Sequence, residues 1–318
     1  VNRIVARPSI LFLIASIVLL SPPPVLAALC GGGTLCSCGD LVGANHTLTC
    51  GVDPVTIDLC FGDGLTVANG TELSLGSCTI RGVGVGEGVH LEPGATVEGG
   101  KVVQFAIGVF AEQVGTVRGV RVSETSGVGV DVAGNGSVIE RNVLQRNLGI
   151  GIRVGNAPPA FPSPPGNVTV RQNRIEDNAG CGLVVSGPNN LVDRNVLLRN
   201  GECGIHIRNA LEGTVVRNQV KYTEAGPGFI FENADKLQVS LNISLGAGDP
   251  GDSNSHGFHV SSTSTENTFR RNVSSHNKGY GIRDESSGTK TSNTANTYVL
   301  NNCAGNALGN SLPGGLCQ

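Results

Sequence analysis

The sequence contains no methionine and no tryptophan, and only 4% of its residues are aromatic. What remains is a turn-rich, β-branched chain with little aromatic core. Charge is scarce as well: 15% of residues are charged and the net charge is −3. That balance excludes a disordered chain, which needs high charge and little apolar content. It also excludes nucleic-acid binding, which needs a basic footprint. Glycine follows no strict three-residue period, so the chain is not collagenous. Beyond the N-terminus no apolar run approaches the ~20 residues of a membrane-spanning helix.

What is present is glycine and asparagine. There are 47 Gly and 28 Asn, and 25 of the Asn lie from Asn135 onward. Both residues are poor helix formers, so a turn-rich β fold is expected. Residues 1–27 read as a signal peptide: Arg3 and Arg7 precede the apolar run Ile10 to Leu20, and Val25-Leu26-Ala27 offers a cleavage site. The mature chain is then expected to be secreted, periplasmic or displayed at the cell surface, free of the membrane and monomeric.

Internal repetition organises the rest. Arg141-Asn142, Gln172-Asn173, Arg194-Asn195, Arg217-Asn218, Leu241-Asn242, Arg271-Asn272 and Ala295-Asn296 recur at spacings of 31, 22, 23, 24, 30 and 24. A second Asn follows five residues later in most units, as in Asn147, Asn178, Asn200, Asn277 and Asn301. Then comes a Gly-led strand, as in Gly151-Ile152-Arg153-Val154 and Gly204-Ile205-His206-Ile207. Its period of two predicts one buried and one wet face. A unit this short buries no core alone, whereas stacked units bury a continuous one. The expected fold is an all-β, single-stranded solenoid of about twelve coils rising about 4.8 Å each. Asn142, Asn173, Asn195, Asn218, Asn242 and Asn272 should form an amide ladder, each Asn also taking the left-handed turn conformation. Glycine is expected to serve the remaining turns.

These Asn-x4-Asn and Gly-led strand motifs resemble the right-handed parallel β-helix repeat of pectate-lyase-like proteins. The nearest match is the broad right-handed β-helix region family of exported bacterial proteins. The resemblance covers about Leu65 to Asn306. The resulting layout is a signal peptide (1–27), a Cys-rich N-terminal cap with the first coils (28–64), the β-helix repeats (65–306) and a C-terminal cap (307–318).

Ten cysteines in an exported chain read as disulfides. Six crowd the N-terminal end, and Cys303 and Cys317 lie at the other. Stapling suits the bare end coils of a solenoid. Cys60 and Cys78, 18 residues apart, are expected to join neighbouring coils. Cys181 and Cys203 share one repeat position and should stack in the core, as a disulfide or as two thiols. Cys36-Ser-Cys38 has no His pair at ligand spacing, so no metal site is expected.

Two insertions break the coil spacing: Ala157 to Gly166, rich in proline, and Gly246 to Ser255. They flank opposite margins of one exposed sheet, and loops that interrupt a scaffold commonly carry function. Between them one outward file runs Arg153, Val184, His206, Ile230, His259, Arg283. A second holds Ser186, Arg208, Glu232, Ser261 and Glu285. His206, His259, Glu232, Asp249 and Asp252 are the candidate catalytic groups. Arg153, Arg208, Arg283 and Glu285 are the candidate substrate contacts. His256 is expected to face inward, together with Tyr280 and Cys203. Such a file suits an extracellular polysaccharide. The Asp-rich signatures of polygalacturonase-like hydrolases are missing, and no complete catalytic motif is present. Asp249-Pro250-Gly251-Asp252 is similar to the Asp-Pro-x-Asp motif of β-helical alginate C5-epimerases, with Gly where that motif has His. Three readings result: binding or display toward a polysaccharide, a uronate lyase or C5-epimerase, and a structural or adhesive rod. No cofactor is expected, Ca2+ being reserved for the lyase reading.

Overall fold

The computed structural model describes residues 27–155, 164–249 and 254–318. The signal-peptide segment 1–26, most of the proline-rich insertion (156–163) and the stretch 250–253, with Asp252, lie outside these.

The chain winds as a parallel β-helix. Among the described residues thirteen strands stack into a front sheet, running in chain order from Leu29–Cys30 through Ile152–Val154, Ile205–Leu211 and Phe258–Val260 to Gly309–Leu312. Neighbours are successive coils: Ile152 stands opposite Leu183, and Leu183 opposite Ile205. Each later coil adds two short strands on the other walls. Val138–Glu140 and Val143–Gln145, for example, stack on Thr169–Arg171 and Arg174–Glu176. In the first coils Glu72–Gly82 and Ala95–Val103 run through both of these walls without a break.

The alternation read from the sequence places the core. Ile152, Val154, Leu183, Val185, Ile205, Ile207, Phe229, Phe231, Phe258 and Val260 are all buried, and so are Ile139, Val170, Val192, Val215, Val239 and Phe269 on the wall behind. Like sits on like along the rod: Phe229 stacks on Phe258 with ring centroids 4.6 Å apart. Each such side chain contributes roughly 1.5–3 kcal/mol on burial.

The asparagines line the inside of a bend. In Asn142, Asn173, Asn195, Asn218, Asn242 and Asn272 both the backbone N–H and Nδ2 donate to Oδ1 of the Asn one coil on, at 2.9–3.1 Å. The series ends on Asn301, not on Asn296. Asn296 stacks on Asn267 in a different turn. The left-handed conformation also falls elsewhere than expected. Arg141, Gln172, Arg194, Arg217, Leu241 and Arg271, the residues before each Asn, have φ between 53° and 57°. The preceding residue makes the bend and points outward, which leaves the carboxamide free to turn in and satisfy buried backbone groups.

Glycine ahead of the front strands answers to space, not to φ. A Cβ on Gly204 would lie 2.2 Å from Val220 Cγ1 and 2.4 Å from the Gly228 carbonyl oxygen. On Gly257 it would lie 1.8 Å from Ser274 Oγ. The chain turns its backbone into the core there, and only glycine allows the approach.

Five disulfides form: Cys30–Cys36, Cys38–Cys60, Cys50–Cys78, Cys181–Cys203 and Cys303–Cys317. The expected Cys60–Cys78 bridge is replaced by two others. Cys60 registers with Gly82, four residues beyond Cys78, or about 13 Å along an extended strand. Cys303–Cys317 and Cys181–Cys203 form as the spacing suggested. Cys181 and Cys203, however, pack outside the main core, against Val184 with Ile150 and Ile230. Cys36, His46 and Asp53 also converge, but the Cys36 sulfur is bonded to Cys30. Asp53 there clasps the N-terminal cap by accepting the Cys36 and Thr49 N–H groups.

Candidate functional site

The outward file of the front sheet is as the sequence predicted. Register places Arg153, Val184, His206, Ile230, His259 and Arg283 side by side on successive coils. The file continues toward the N-terminus through Asp131 and Phe110 to His90. Ser186, Arg208 and Glu232 form the adjacent file.

A third outward file was missed. The glycine before each strand turns inward, so the residue before that glycine turns out. Val184 and Ile230, both outward, pack with Cys181 and Cys203. His256 likewise faces outward, against expectation. Its Nε2 lies 3.3 Å from Arg283 Nη1, and its ring centroid is 5.4 Å from that of His259. Its Nδ1 accepts the Tyr280 N–H at 2.9 Å, and the side chain is fully buried. The glycine itself, Gly257, was the available signal, because a kink ahead of a strand shifts the parity of what precedes it.

Two groups of chemistry result. In the first, His206 Nε2 lies 3.0 Å from Glu232 Oε2. Burial pushes the His206 pKa below its ordinary value. Glu232 pulls the other way without prevailing, and Arg208 and His259 add to the lowering. His206 is therefore a neutral imidazole near neutral pH, oriented by a carboxylate. Beside it Arg208 Nε reaches Ser186 Oγ at 3.4 Å. Among the described residues no carboxylate pairs with Arg208, since Glu232 is turned to the imidazole.

In the second group, Glu285 Oε1 lies 2.8 Å from Arg283 Nη2 and 3.2 Å from His259 Nε2. The histidine contact is close enough for charge attraction but is not aligned as a hydrogen bond. Arg283 is thus ion-paired with Glu285 and packed against the His256 ring. Arg153, the remaining candidate contact, is held by Asp131 through a forked pair, with Nε 2.9 Å from Oδ1, and Asp131 is buried. That arginine is spent on an internal partner. Asp249 is exposed, while Asp252 lies outside the described residues.

A family model described as "Right handed beta helix region" matches residues 105–302. No curated protein matches the sequence. Among solved structures, the periplasmic alginate epimerase AlgG is similar with a TM-score of 0.54 and 10% identity, over 84% of this chain and 80% of that one. A mutant of the same epimerase has a TM-score of 0.50 and 13% identity, over 79% of this chain and 66% of that one. The catalytic domain of a GH87 α-1,3-glucanase gives 0.51 and 11%, over 84% of this chain and 56% of that one. At these identities the likeness establishes the fold.

Proposed function

We propose that this chain, which belongs to the right-handed β-helix family, binds an acidic polysaccharide along its front sheet. One observation carries the reading: Arg208 has no carboxylate partner among the described residues, although it stands beside a His–Glu pair on an otherwise charge-paired face. A guanidinium with spare, forked donors recognises a sugar carboxylate. The two groups lie two coils apart, roughly 10 Å, so a glycan lying along the rod meets both. The alginate epimerase and the glucanase that share this fold make acidic and neutral glycans the ligands to test first.

A second reading, uronate lyase or C5-epimerase, is favoured by the neutral His206. Arg208 would neutralise the uronate carboxylate, and His206 would take the proton from the adjacent carbon. Expulsion of the 4-oxygen substituent, which leaves as an alcohol with a proton from the His206 imidazolium or from water, completes a lyase step. Delivery of a proton from water to the opposite face of that carbon completes an epimerase step.

Affinity measured against polyuronates and neutral glucans tests the first reading. Arg208→Ala should weaken polyuronate binding at least tenfold and leave neutral glucans unaffected. If the folded wild-type protein binds no polyuronate, the proposal fails. Ultraviolet absorbance of unsaturated ends and the proton exchange of the uronate C5 position test the second. Either signal should vanish in His206→Ala.

A further inference from the structure

The cationic side chains are unevenly placed along the rod. From Glu140 to Lys221 there are ten Arg or Lys and six Asp or Glu, a net +4 within a chain of net −3. On the bend between the two rear walls, away from the front sheet, a groove of about 450 Å3 is lined by Arg141, Gln172, Asn173, Arg174, Arg194 and Val196. Three arginines and no acidic residue line it. The balancing carboxylates sit outside the lining. Asp193 pairs with Arg194 at 3.1 Å but also with Arg217 at 2.9 Å, so one charge serves two. Glu176 holds Arg174 at 2.6 Å. Among the described residues Arg141 has no ion pair, and its Nε donates to the Gln172 amide oxygen at 3.3 Å.

The ladder beneath explains why these side chains converge. Arg141, Gln172 and Arg194 are the left-handed residues of three successive coils, each thrown outward by the Asn tucked under it. Coil stacking holds them roughly 5 Å apart along the rod. Arg141 and Arg194 therefore stand two coils apart, roughly 10 Å, with Gln172 between them and Arg174 on the adjoining strand, and three guanidinium groups short of counter-charge make a fixed receptor for a polymer carrying regularly repeated anions.

We propose that this groove is a second polyanion site, taking a carboxylated or sulfated polysaccharide through Arg141, Arg174 and Arg194. It is separate from the front sheet and does not depend on Arg208. Affinity electrophoresis through gels containing polygalacturonate, dextran sulfate or neutral dextran tests it. Arg141→Asn with Arg194→Asn removes two charges while Asn tolerates the left-handed backbone. This double variant should lose at least tenfold in retardation by one or both charged polymers, and raised salt should erase the difference from wild type. Which polymer loses its retardation in the double variant distinguishes carboxylate from sulfate. Arg141→Lys with Arg194→Lys should restore part of the retardation, because charge returns without the fork. Arg208→Ala should leave dextran sulfate retardation in place, so loss of the front-sheet reading is separable from loss of this one. Unchanged retardation in the folded Asn variant, or equal retardation by neutral dextran, overturns the proposal.

Discussion

His206 and His90 stand in the same outward file with opposite proton affinities. Burial lowers the pKa of His206. His90 is raised, first by its hydrogen bond to Glu87 at 2.7 Å and further by the charges of Glu87 and Glu112, against the effect of burial. The two therefore act oppositely on stability. His206 costs stability as pH falls below about 6.5, where the unfolded chain takes a proton that the folded one resists. His90 contributes stability below about 6.5 and loses it as pH rises through its raised folded value. Imidazole titrations followed by NMR should give a midpoint below 6.5 for His206 and above it for His90; reversed midpoints would contradict the assigned environments. A buried ladder amide acts by completeness instead. Asn218→Ala leaves the Asn195 N–H and amide and the Val192 carbonyl without their partner. Urea unfolding should show a loss of about 3 kcal/mol, because unsatisfied buried groups cost ~1–3 kcal/mol each.

At the scale of the coil, the Gly-led strand and the Asn turn were both legible, because a repeated position announces itself at a fixed spacing. Their physical roles were less so. Sequence pattern shows that Gly204 and Asn195 recur, but not that Gly204 is required by a backbone approach from the next coil. Nor does it show that the residue before Asn195 takes the strained turn. The distinction has a test. Gly204→Ala meets a backbone carbonyl and a packed valine that cannot withdraw, so it should destabilise by about 2 kcal/mol or more. Gly62→Ala meets nothing within 4 Å and needs no left-handed φ, so its thermal midpoint should match wild type. The same inward kink hid His256. Reading every second residue as outward holds within a strand and fails across the glycine that starts it.

Over the whole molecule, stability passes from coil to neighbouring coil, so the ends are its weak points. Three disulfides secure the N-terminal end and Cys303–Cys317 the other. Replacing Cys50 and Cys78 by Ser opens a 28-residue loop and should cost about 3 kcal/mol. Hydrogen exchange should then quicken in the first coils, around Leu73 and Ile80, and stay unchanged around Phe258. Uniform loss along the rod would show that the molecule unfolds as one unit.

The sequence by itself determined the solenoid, its alternating core, the ladder positions and the outward file that carries His206 and His259. All of these are periodic, and periodicity survives in one dimension. Tertiary structure decided what periodicity cannot encode. Cys38–Cys60 and Cys50–Cys78 depend on where irregular end coils fall in register. The pairing of Glu232 with His206, and not with Arg208, depends on side-chain direction. The convergence of Arg141, Arg174 and Arg194 depends on a bend that brings different strands together. Contacts between coils are set by geometry across the stack, and a repeat unit records only its own share of them.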